Sequence, residues 1–188
     1  MGHRGTSPRV RRLPVAALLL SGAACVPSNP GTPMPIDLLR ELPRAAVAPA
    51  ARPNLVSVQV IDRDGAQHAA LVMHPTSRVI WQVQMTEPAK LRADMGRLPG
   101  GDAGAELSVR IGMSDERIYE DHLRERLPHP AGEAPAWRPL VIDLSLYSGR
   151  KWSLFYQPSR RTWSLVLNVQ GGDAAVALVE PRIIRRGN

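Results

Sequence analysis

Cysteine is nearly absent from this chain of 188 residues, which contains only Cys25. An intrachain disulfide needs two cysteines, so the folded part has to be held together by its core alone. Lysine is almost as rare, because Lys90 and Lys151 are the only two among 24 basic residues. The aromatic residues are few and all lie between Trp81 and Trp163. Any aromatic binding surface therefore has to come from that part of the chain.

Long hydrophobic runs are missing as well. The apolar stretch at residues 13–24 (LPVAALLLSGAA) is too short to cross a bilayer, since a transmembrane helix needs about 20 apolar residues. This excludes a polytopic membrane protein. The stretch follows a segment with four arginines and ends in small residues, a pattern that predicts a signal peptide over residues 1–24.

The positive charge of the chain is concentrated at its two ends. The formal net charge is +7, and residues 1–24 contribute four arginines without any acid. Arg182, Arg185 and Arg186 add three more positive charges near the C-terminus. The middle of the chain is close to neutral, whereas a nucleic-acid-binding domain carries a basic stripe on its folded part. The charge pattern therefore does not favour a nucleic-acid partner.

The residues before Cys25 resemble the lipobox of bacterial lipoprotein signal peptides. Gly22, Ala23 and Ala24 supply small residues directly before the cysteine. This resemblance implies that Cys25 carries a lipid, becomes the mature N-terminus and anchors the protein in the bacterial cell envelope. Gly22 stands where such motifs usually have leucine, and ordinary signal cleavage after Ala24 is the alternative.

A proline-rich segment follows the cysteine. Seven prolines lie between residues 25 and 53, and each of them fixes φ and removes a backbone donor. Such a composition is typical of an extended, semi-rigid spacer. The segment 25–53 is therefore predicted to be a tether, with the folded domain spanning residues 54–186.

From residue 55 onward, apolar and polar residues alternate in short runs. This period of two predicts half-buried β-strands, and glycine-containing turns separate the runs. Seven or eight such strands favour an all-β fold, an antiparallel β-sandwich or barrel. The runs centre on Val56–Val60, Val79–Met85, Leu107–Ile111, Leu140–Leu144, Trp152–Tyr156, Trp163–Val169 and Val176–Leu178.

Residues 115–127 support two interpretations. Their composition, with many helix-forming residues and Ile118 and Leu127 on one helical face, favours a helix. Read with a period of two, the same residues form a strand with Tyr119 and Asp121 on one side. The sequence alone leaves this choice open.

Several strand and turn signatures resemble a galactose-binding-like jelly-roll β-sandwich. In particular, they are similar to the accessory domain that precedes the catalytic domain in some bacterial sulfatase-family proteins. The resemblance covers residues 65–185 and implies a fold rather than an activity. It rests on Ala89–Leu91, Glu106–Ile111 (ELSVRI), Trp137, Val141–Trp152 (VIDLSLYSGRKW) and Ala177–Ile184 (ALVEPRII).

No catalytic or cofactor-binding pattern stands out. The chain lacks G-x-S-x-G, H-E-x-x-H and a phosphate-binding glycine loop, so it is predicted to be non-catalytic and to need no cofactor. Domains of this type often hold a structural calcium, for which Asp62, Asp64 and Asp143 are candidates. An ordinary hairpin turn at Asp64-Gly65 is the preferred interpretation, and no metal site is predicted.

The aromatic residues are the remaining functional lead. Trp137, Tyr119 and Trp163, with the Arg160-Arg161 loop, are the candidate ligand-binding residues. Exposed aromatic rings stack against sugars, and arginine donates hydrogen bonds to hydroxyl groups. The alternative is that Trp81, Trp152 and Trp163 lie on core faces and are buried.

Two classes of function follow from these observations. The first is a membrane-tethered, non-catalytic binding module for a glycan or an envelope protein. The second is a structural accessory lipoprotein without a small-molecule ligand, and a hydrolase accessory subunit is less favoured.

Overall fold

The computed structural model describes residues 34–100, 104–113, 119–127, 136–152, 155–158 and 161–187. Their regular structure is almost entirely β, with one four-residue helix, α1 (Ser145–Ser148). Short 3-10 turns lie at Leu42–Arg44 and Pro53–Leu55. In chain order the strands are β1 (Ile36–Asp37), β2 (Ala46–Ala48), β3 (Val56–Arg63), β4 (Ala66–Met73), β5 (Ser77–Val83), β6 (Ala89–Arg97), β7 (Glu106–Met113), β8 (Tyr119–Arg126), β9 (Arg138–Asp143), β10 (Gly149–Trp152), β11 (Phe155–Pro158), β12 (Trp163–Gln170) and β13 (Val176–Arg185).

Two antiparallel sheets form a sandwich. In sheet A the strand order is β3-β4-β13-β6-β9, and β1 pairs with the second half of β13. In sheet B the order is β2-β5-β12-β7-β8. Strands β10 and β11 form a separate antiparallel hairpin. The all-β, antiparallel β-sandwich fold of the jelly-roll, galactose-binding-like class that the sequence predicts is therefore confirmed.

The core lies between the two sheets, because one side of every central strand is apolar. Sheet A contributes Leu71, Leu91 and Leu178, and each is fully buried. Sheet B contributes Leu107 and Leu167 to the same cluster, also fully buried. Alternation then points the intervening residues of each strand to the outer surface.

The alternating runs predict several strands, but not all of them. Strand β4 was missed because Ala70–Met73 is buried on both sides of the strand, which removes the alternation. Strand β6 was not predicted because some of its residues that point into the core are alanines. Alanine gives a weak hydrophobic signal in the sequence. Residues 119–126 are a strand paired with β7, which decides between the two interpretations of that segment.

The predicted single strand over Trp152–Tyr156 is wrong. Trp152 pairs with Phe155 and Gly149 pairs with Pro158, so the chain reverses direction between β10 and β11. Of the tryptophans predicted to be buried, Trp81 is 2% exposed. The side chain of Trp152 lies outside the described residues.

The predicted tether is wrong for residues 34–53. Ile36 and Asp37 pair with Ile183 and Arg182, and Ala46–Ala48 pairs with β5. Leu38, between these two strands, is fully buried in the core. The prolines limit the regular structure of the segment to two short strands. They do not extend the segment away from the domain. Residues 25–33 and the predicted signal peptide lie outside the described residues.

Asp64 and Gly65 form the turn of the β3–β4 hairpin. Arg63 and Ala66 are the last pair of the ladder, and both turn residues have positive φ, at 54° and 79°. This is the geometry of a tight two-residue hairpin, with the Asp62 carboxylate accepting the Gly65 N–H at 3.2 Å. The hairpin interpretation is confirmed. Within the described ranges, no helix is long and apolar enough to span a bilayer.

Candidate functional site

The outer surface of sheet B carries mostly polar side chains. We call it the polar face. The register of β5, β12, β7 and β8 determines which side chains lie on this face, because alternating residues of a strand point away from the core. The polar face comprises Arg78, Ile80, Gln82, Glu106, Ser108, Arg110, Gly112, Tyr119, Asp121, Arg124, Arg126, Ser164, Val166, Asn168 and Gln170.

The centre of the polar face is a recessed floor of small side chains. Ser108, Ser164 and Val166 point outward, yet they are only 1%, 2% and 4% exposed. Longer side chains on the neighbouring strands stand above them, such as Gln82 opposite Ser164 and Arg110 opposite Val166. The longer side chains therefore cover this row of short side chains along β12, which we call the trough.

Uncharged side chains on this floor form cross-strand hydrogen bonds. The Gln82 Nε2 donates to Ser164 Oγ at 3.0 Å. The Asn168 Nδ2 lies 3.4 Å from Ser108 Oγ. Amides and hydroxyls both donate and accept, so these groups can bond the hydroxyl groups of a ligand when the longer side chains that cover them move aside.

Two ion pairs join the polar face across β7 and β8. Arg110 Nε lies 2.5 Å from Asp121 Oδ1, although the N–H is not aligned as a hydrogen bond. Arg124 Nε lies 3.3 Å from Glu106 Oε1. These side chains are partly exposed, so the pairs contribute little to stability. They do hold long polar side chains in place beside the trough.

Tyr119 stands at the edge of the polar face. It begins β8 and lies opposite Gly112, in the same row as Ser164 and Gln82. Its side chain is half-buried. Tyr119, predicted from sequence to contact a ligand, therefore reaches this surface.

Trp163 lies on the opposite side of its strand from the polar face. It is half-buried against the core, and its ring meets Tyr147 edge-on with centroids 4.8 Å apart. Its neighbour Ser164 points outward instead. Trp163 thus lies on the core side of β12, as the alternative interpretation expected, although it is only half-buried. Its ring does not share a surface with Tyr119.

Trp137 lies on the outer surface of sheet A. It packs against a cluster of small buried residues there, which includes Ala70, Val72 and Ala177. The Arg63 guanidinium carbon lies 6.0 Å from the Trp137 ring centroid, within the range of a cation–π contact. Trp137 thus covers an outer apolar cluster. The predicted single surface containing both Trp137 and Tyr119 is wrong, because the two residues lie on opposite outer faces of the sandwich.

The arginine loop is only partly described. Arg161 is exposed and lies just before β12, while Arg160 lies outside the described residues. Four residues of the polar face were not predicted from the sequence: Ser108, Ser164, Asn168 and Gln82. These residues occupy the polar positions of alternating strands, so the sequence predicts that they point outward. Alternation alone does not show which polar surface is recessed.

A cleft of about 210 Å³ opens beside the polar face, at the uncovered end of β5. Strand β2 pairs only with Arg78–Ile80, which leaves the next residues of β5 without a neighbouring strand on that side. Gln82 belongs both to the cleft and to the polar face. The cleft is lined by Ile36, Glu41, Arg44, Trp81, Gln82 and Val83.

A second polar cluster surrounds Tyr147 at the end of the core. The Tyr147 hydroxyl donates to Glu120 Oε2 at 2.5 Å and is hydrogen-bonded to His122 Nε2. Burial of the hydroxyl, followed by its bond to Glu120, raises the pKa of Tyr147 well above its ordinary value. In the parts of the chain that the structure covers, no three metal-ligating side chains gather at one point.

The raised pKa of Tyr147 predicts a loss of stability at alkaline pH. The unfolded phenol ionises near pH 10, so the stabilisation is complete below that pH and is lost as the pH rises towards the folded pKa. Tyr147→Phe should flatten this decline in the free energy of unfolding above about pH 10. Urea titrations at several alkaline pH values test this, with Tyr119→Phe as the control. An unchanged slope in Tyr147→Phe would contradict it.

Contact between Gly96 and Trp137 predicts a specific steric effect. A Cβ at position 96 would lie 2.6 Å from Cε3 of Trp137, which is closer than such atoms pack. Gly96→Ala should therefore cost about 1–3 kcal/mol of stability. In a Trp137→Ala background the same change should cost much less, because the clashing ring is gone. Equal costs in both backgrounds would show that Trp137 does not rest on Gly96.

Comparison with known proteins shows that this chain is similar in fold to several solved structures. No protein-family model and no curated protein matches the sequence. The structure of TmCBM61 in complex with β-1,4-galactotriose is 8% identical, with a TM-score of 0.50 over 77% of this chain and 90% of that one. The CBM22-1 xylan-binding domain of Paenibacillus barcinonensis Xyn10C is 17% identical, with a TM-score of 0.45 over 74% of this chain and 84% of the domain.

A third neighbour is the C-terminal family 22 carbohydrate-binding module of Clostridium thermocellum Xyn10B. It is 8% identical, with a TM-score of 0.47 over 84% of this chain and 96% of the module. The resemblance to sulfatase accessory domains and to lipoproteins stays a prediction. At these identities it is the fold that is shared: this chain has the jelly-roll β-sandwich fold that is also found in carbohydrate-binding modules.

Proposed function

We propose that this chain is a non-catalytic glycan-binding module and that the polar face of sheet B is its binding surface. The observation that carries the proposal is the row of uncharged hydrogen-bonding side chains along β12 and β7, Ser164, Asn168 and Ser108, between longer polar side chains. A sugar presents many hydroxyl groups, which such amides and hydroxyls can bind. Tyr119 at the edge adds an aromatic ring against which an apolar sugar face can stack.

The dimensions of the trough suit a short linear oligosaccharide. From Ser164 to Asn168 the floor runs along four residue steps of β12, which is about 13 Å at the rise of an extended strand. TmCBM61, which has a similar fold, was solved with the linear sugar β-1,4-galactotriose. Shallow sites of this kind bind weakly, with dissociation constants in the micromolar to millimolar range, or about 4–8 kcal/mol.

A glycan array, followed by calorimetry on the purified chain, tests the proposal. Asn168→Ala and Tyr119→Ala should each weaken binding by roughly tenfold or more, because each removes a contact to the sugar. Matched controls are Gln59→Ala, an exposed amide on sheet A, and Trp137→Phe, an aromatic on the opposite face. Both controls should bind as the unchanged chain does.

Two other results would redirect the assignment. If Trp137→Phe abolished binding and the sheet B variants did not, the binding surface would be on sheet A. If no glycan bound, the alternative of a structural accessory protein would be favoured. Assays with ester, sulfate-ester and glycoside substrates are expected to show no turnover, since the module is proposed to bind without catalysis.

The cellular location is a separate part of the proposal. We propose that the chain is exported and anchored in the bacterial cell envelope through a lipid on Cys25, on the basis of the small residues before that cysteine. Metabolic labelling with a fatty-acid analogue should mark the unchanged protein and leave Cys25→Ala unlabelled. Labelling that persists in Cys25→Ala would contradict lipidation at this residue, and an exported but unlabelled chain would point to ordinary cleavage.

A further inference from the structure

The polar face of sheet B carries more positive than negative charge. Four arginines project from it, and they face only two carboxylates. Lysine is absent from this face among the described residues. The arginines are Arg78, Arg110, Arg124 and Arg126, and the carboxylates are those of Glu106 and Asp121.

The two carboxylates account for only two of these arginines. Arg110 is paired with Asp121 and Arg124 with Glu106. Arg78 and Arg126 are exposed, and the described part of the chain provides no ion-pair partner for either. Two positive charges on this face are therefore left for a ligand.

Arg78 and Arg124 occupy the two ends of one row across the sheet. Between them lie Asn168 and Ser108, on the central strands β12 and β7. At about 4.8 Å between neighbouring strands, the two arginine backbones are about 14 Å apart. The row thus has uncharged hydrogen-bonding groups in its centre and the unpaired Arg78 at one end. At the other end lies Arg124, which is paired with Glu106, and the unpaired Arg126 lies one row further along β8.

We propose that the ligand of the polar face is an acidic glycan whose sugar units carry anionic groups. This inference rests on the proposed glycan-binding function. The uncharged floor suits the hydroxyls of the sugar ring, and the unpaired guanidinium groups suit its anions. Arginine presents planar paired N–H donors that match a carboxylate in a bidentate geometry, which lysine does not. The unpaired guanidinium groups of Arg78 and Arg126 are thus better fitted to planar anionic groups than to a neutral sugar.

Nucleic acid is the other anionic polymer that such a surface could meet, and the observations favour it less. Two unpaired arginines neutralise few phosphates, whereas nucleic-acid binders contact many. The floor of the trough offers hydroxyl and amide groups rather than aromatic rings on which bases stack. Single-stranded DNA is therefore included in the test as a competing ligand.

The test uses two forms of the same polymer. The purified chain is titrated with polygalacturonate and with its fully methyl-esterified form, which keeps the sugar backbone and removes the charge. Binding to the acidic form should be roughly tenfold tighter and should weaken as salt rises, because exposed charges are screened. A neutral β-1,4-galactan and a sulfated dextran complete the panel, and the latter separates sulfate from carboxylate as the recognised group.

Variants locate the effect on the protein. Arg78→Ala and Arg126→Ala should each reduce binding to the acidic polymer several-fold more than they reduce binding to the esterified form. Arg78→Lys should recover only part of the loss. Arg92→Ala is the matched control, an exposed arginine on the outer surface of sheet A.

Each outcome distinguishes this inference from the function on which it rests. Equal binding of the acidic and esterified forms, or a preference for neutral galactan, would overturn the inference and leave glycan binding intact. Binding to single-stranded DNA as tight as to the acidic polymer would also overturn it, in favour of a general anion surface. An acidic preference that persists in both arginine variants would place the anion elsewhere. If the chain bound none of the polymers in the panel, the proposed glycan-binding function itself would be contradicted.

Discussion

A chain that begins at Asn54 is expected to be far less stable than one that begins at Met34. The shorter chain lacks β1 and β2, and with them the buried side chains of Ile36 and Leu38. Each of these stabilises the fold by about 1.5–3 kcal/mol through burial alone. The loss from the two side chains, about 3–6 kcal/mol, is a large fraction of the stability of a domain, which is about 5–15 kcal/mol.

Urea unfolding followed by far-UV circular dichroism measures this difference. The chain from Met34 should unfold in one cooperative transition, and the chain from Asn54 should have a much lower midpoint or no transition. Leu38→Ala in the longer chain separates the effect of the core from that of the strands, and should cost about 2–5 kcal/mol. Equal midpoints for the two chains would show that residues 34–53 are a tether after all.

Trp81→Ala is expected to be the most damaging single substitution of an aromatic residue with a described side chain. The ring is 2% exposed, and its Nε1 donates to the Leu38 carbonyl at 3.2 Å. Removing a buried tryptophan costs about 3–5 kcal/mol through lost transfer energy and the cavity it leaves. The same substitution also removes the hydrogen bond that connects β5 to the N-terminal segment.

The controls for Trp81 separate volume from hydrogen bonding. Trp81→Phe keeps most of the apolar volume and should cost less than Trp81→Ala. Arg78→Ala, at an exposed outward position of the same strand, should change the free energy of unfolding by no more than about 0.5 kcal/mol. A loss below about 1 kcal/mol in Trp81→Ala would contradict the placement of this ring in the core.

The sequence predicted the fold where burial on one side of a strand leaves a period of two. Strands such as β5 and β12 follow this rule, since Val79 and Leu167 alternate with outward residues. The prediction from alternation failed where both sides of a strand are buried, as at Ala70–Met73. Prediction from the sequence also failed at the N-terminus, because seven prolines indicate an extended chain but do not show whether that chain docks on the domain.

The binding surface was harder to predict for a different reason. A sequence shows which residues are aromatic, and this directed attention to Trp137 and Trp163. It does not show which sheet each ring belongs to, and the register places Trp137 on sheet A and Tyr119 on sheet B. The recessed position of Ser108 and Ser164 depends on the height of neighbouring side chains across three strands, which appears only in the folded sheet.

The most direct test of the account is to map the binding surface by NMR. The isotopically labelled protein is titrated with tri-galacturonate, and with β-1,4-galactotriose if the acidic sugar does not bind. The largest amide shift changes should fall on β7, β8 and β12, at positions such as Ser108, Tyr119 and Asn168. Changes confined to sheet A around Gly96 and Trp137, with β7 and β12 unmoved, would contradict the claim that the polar face of sheet B binds glycan.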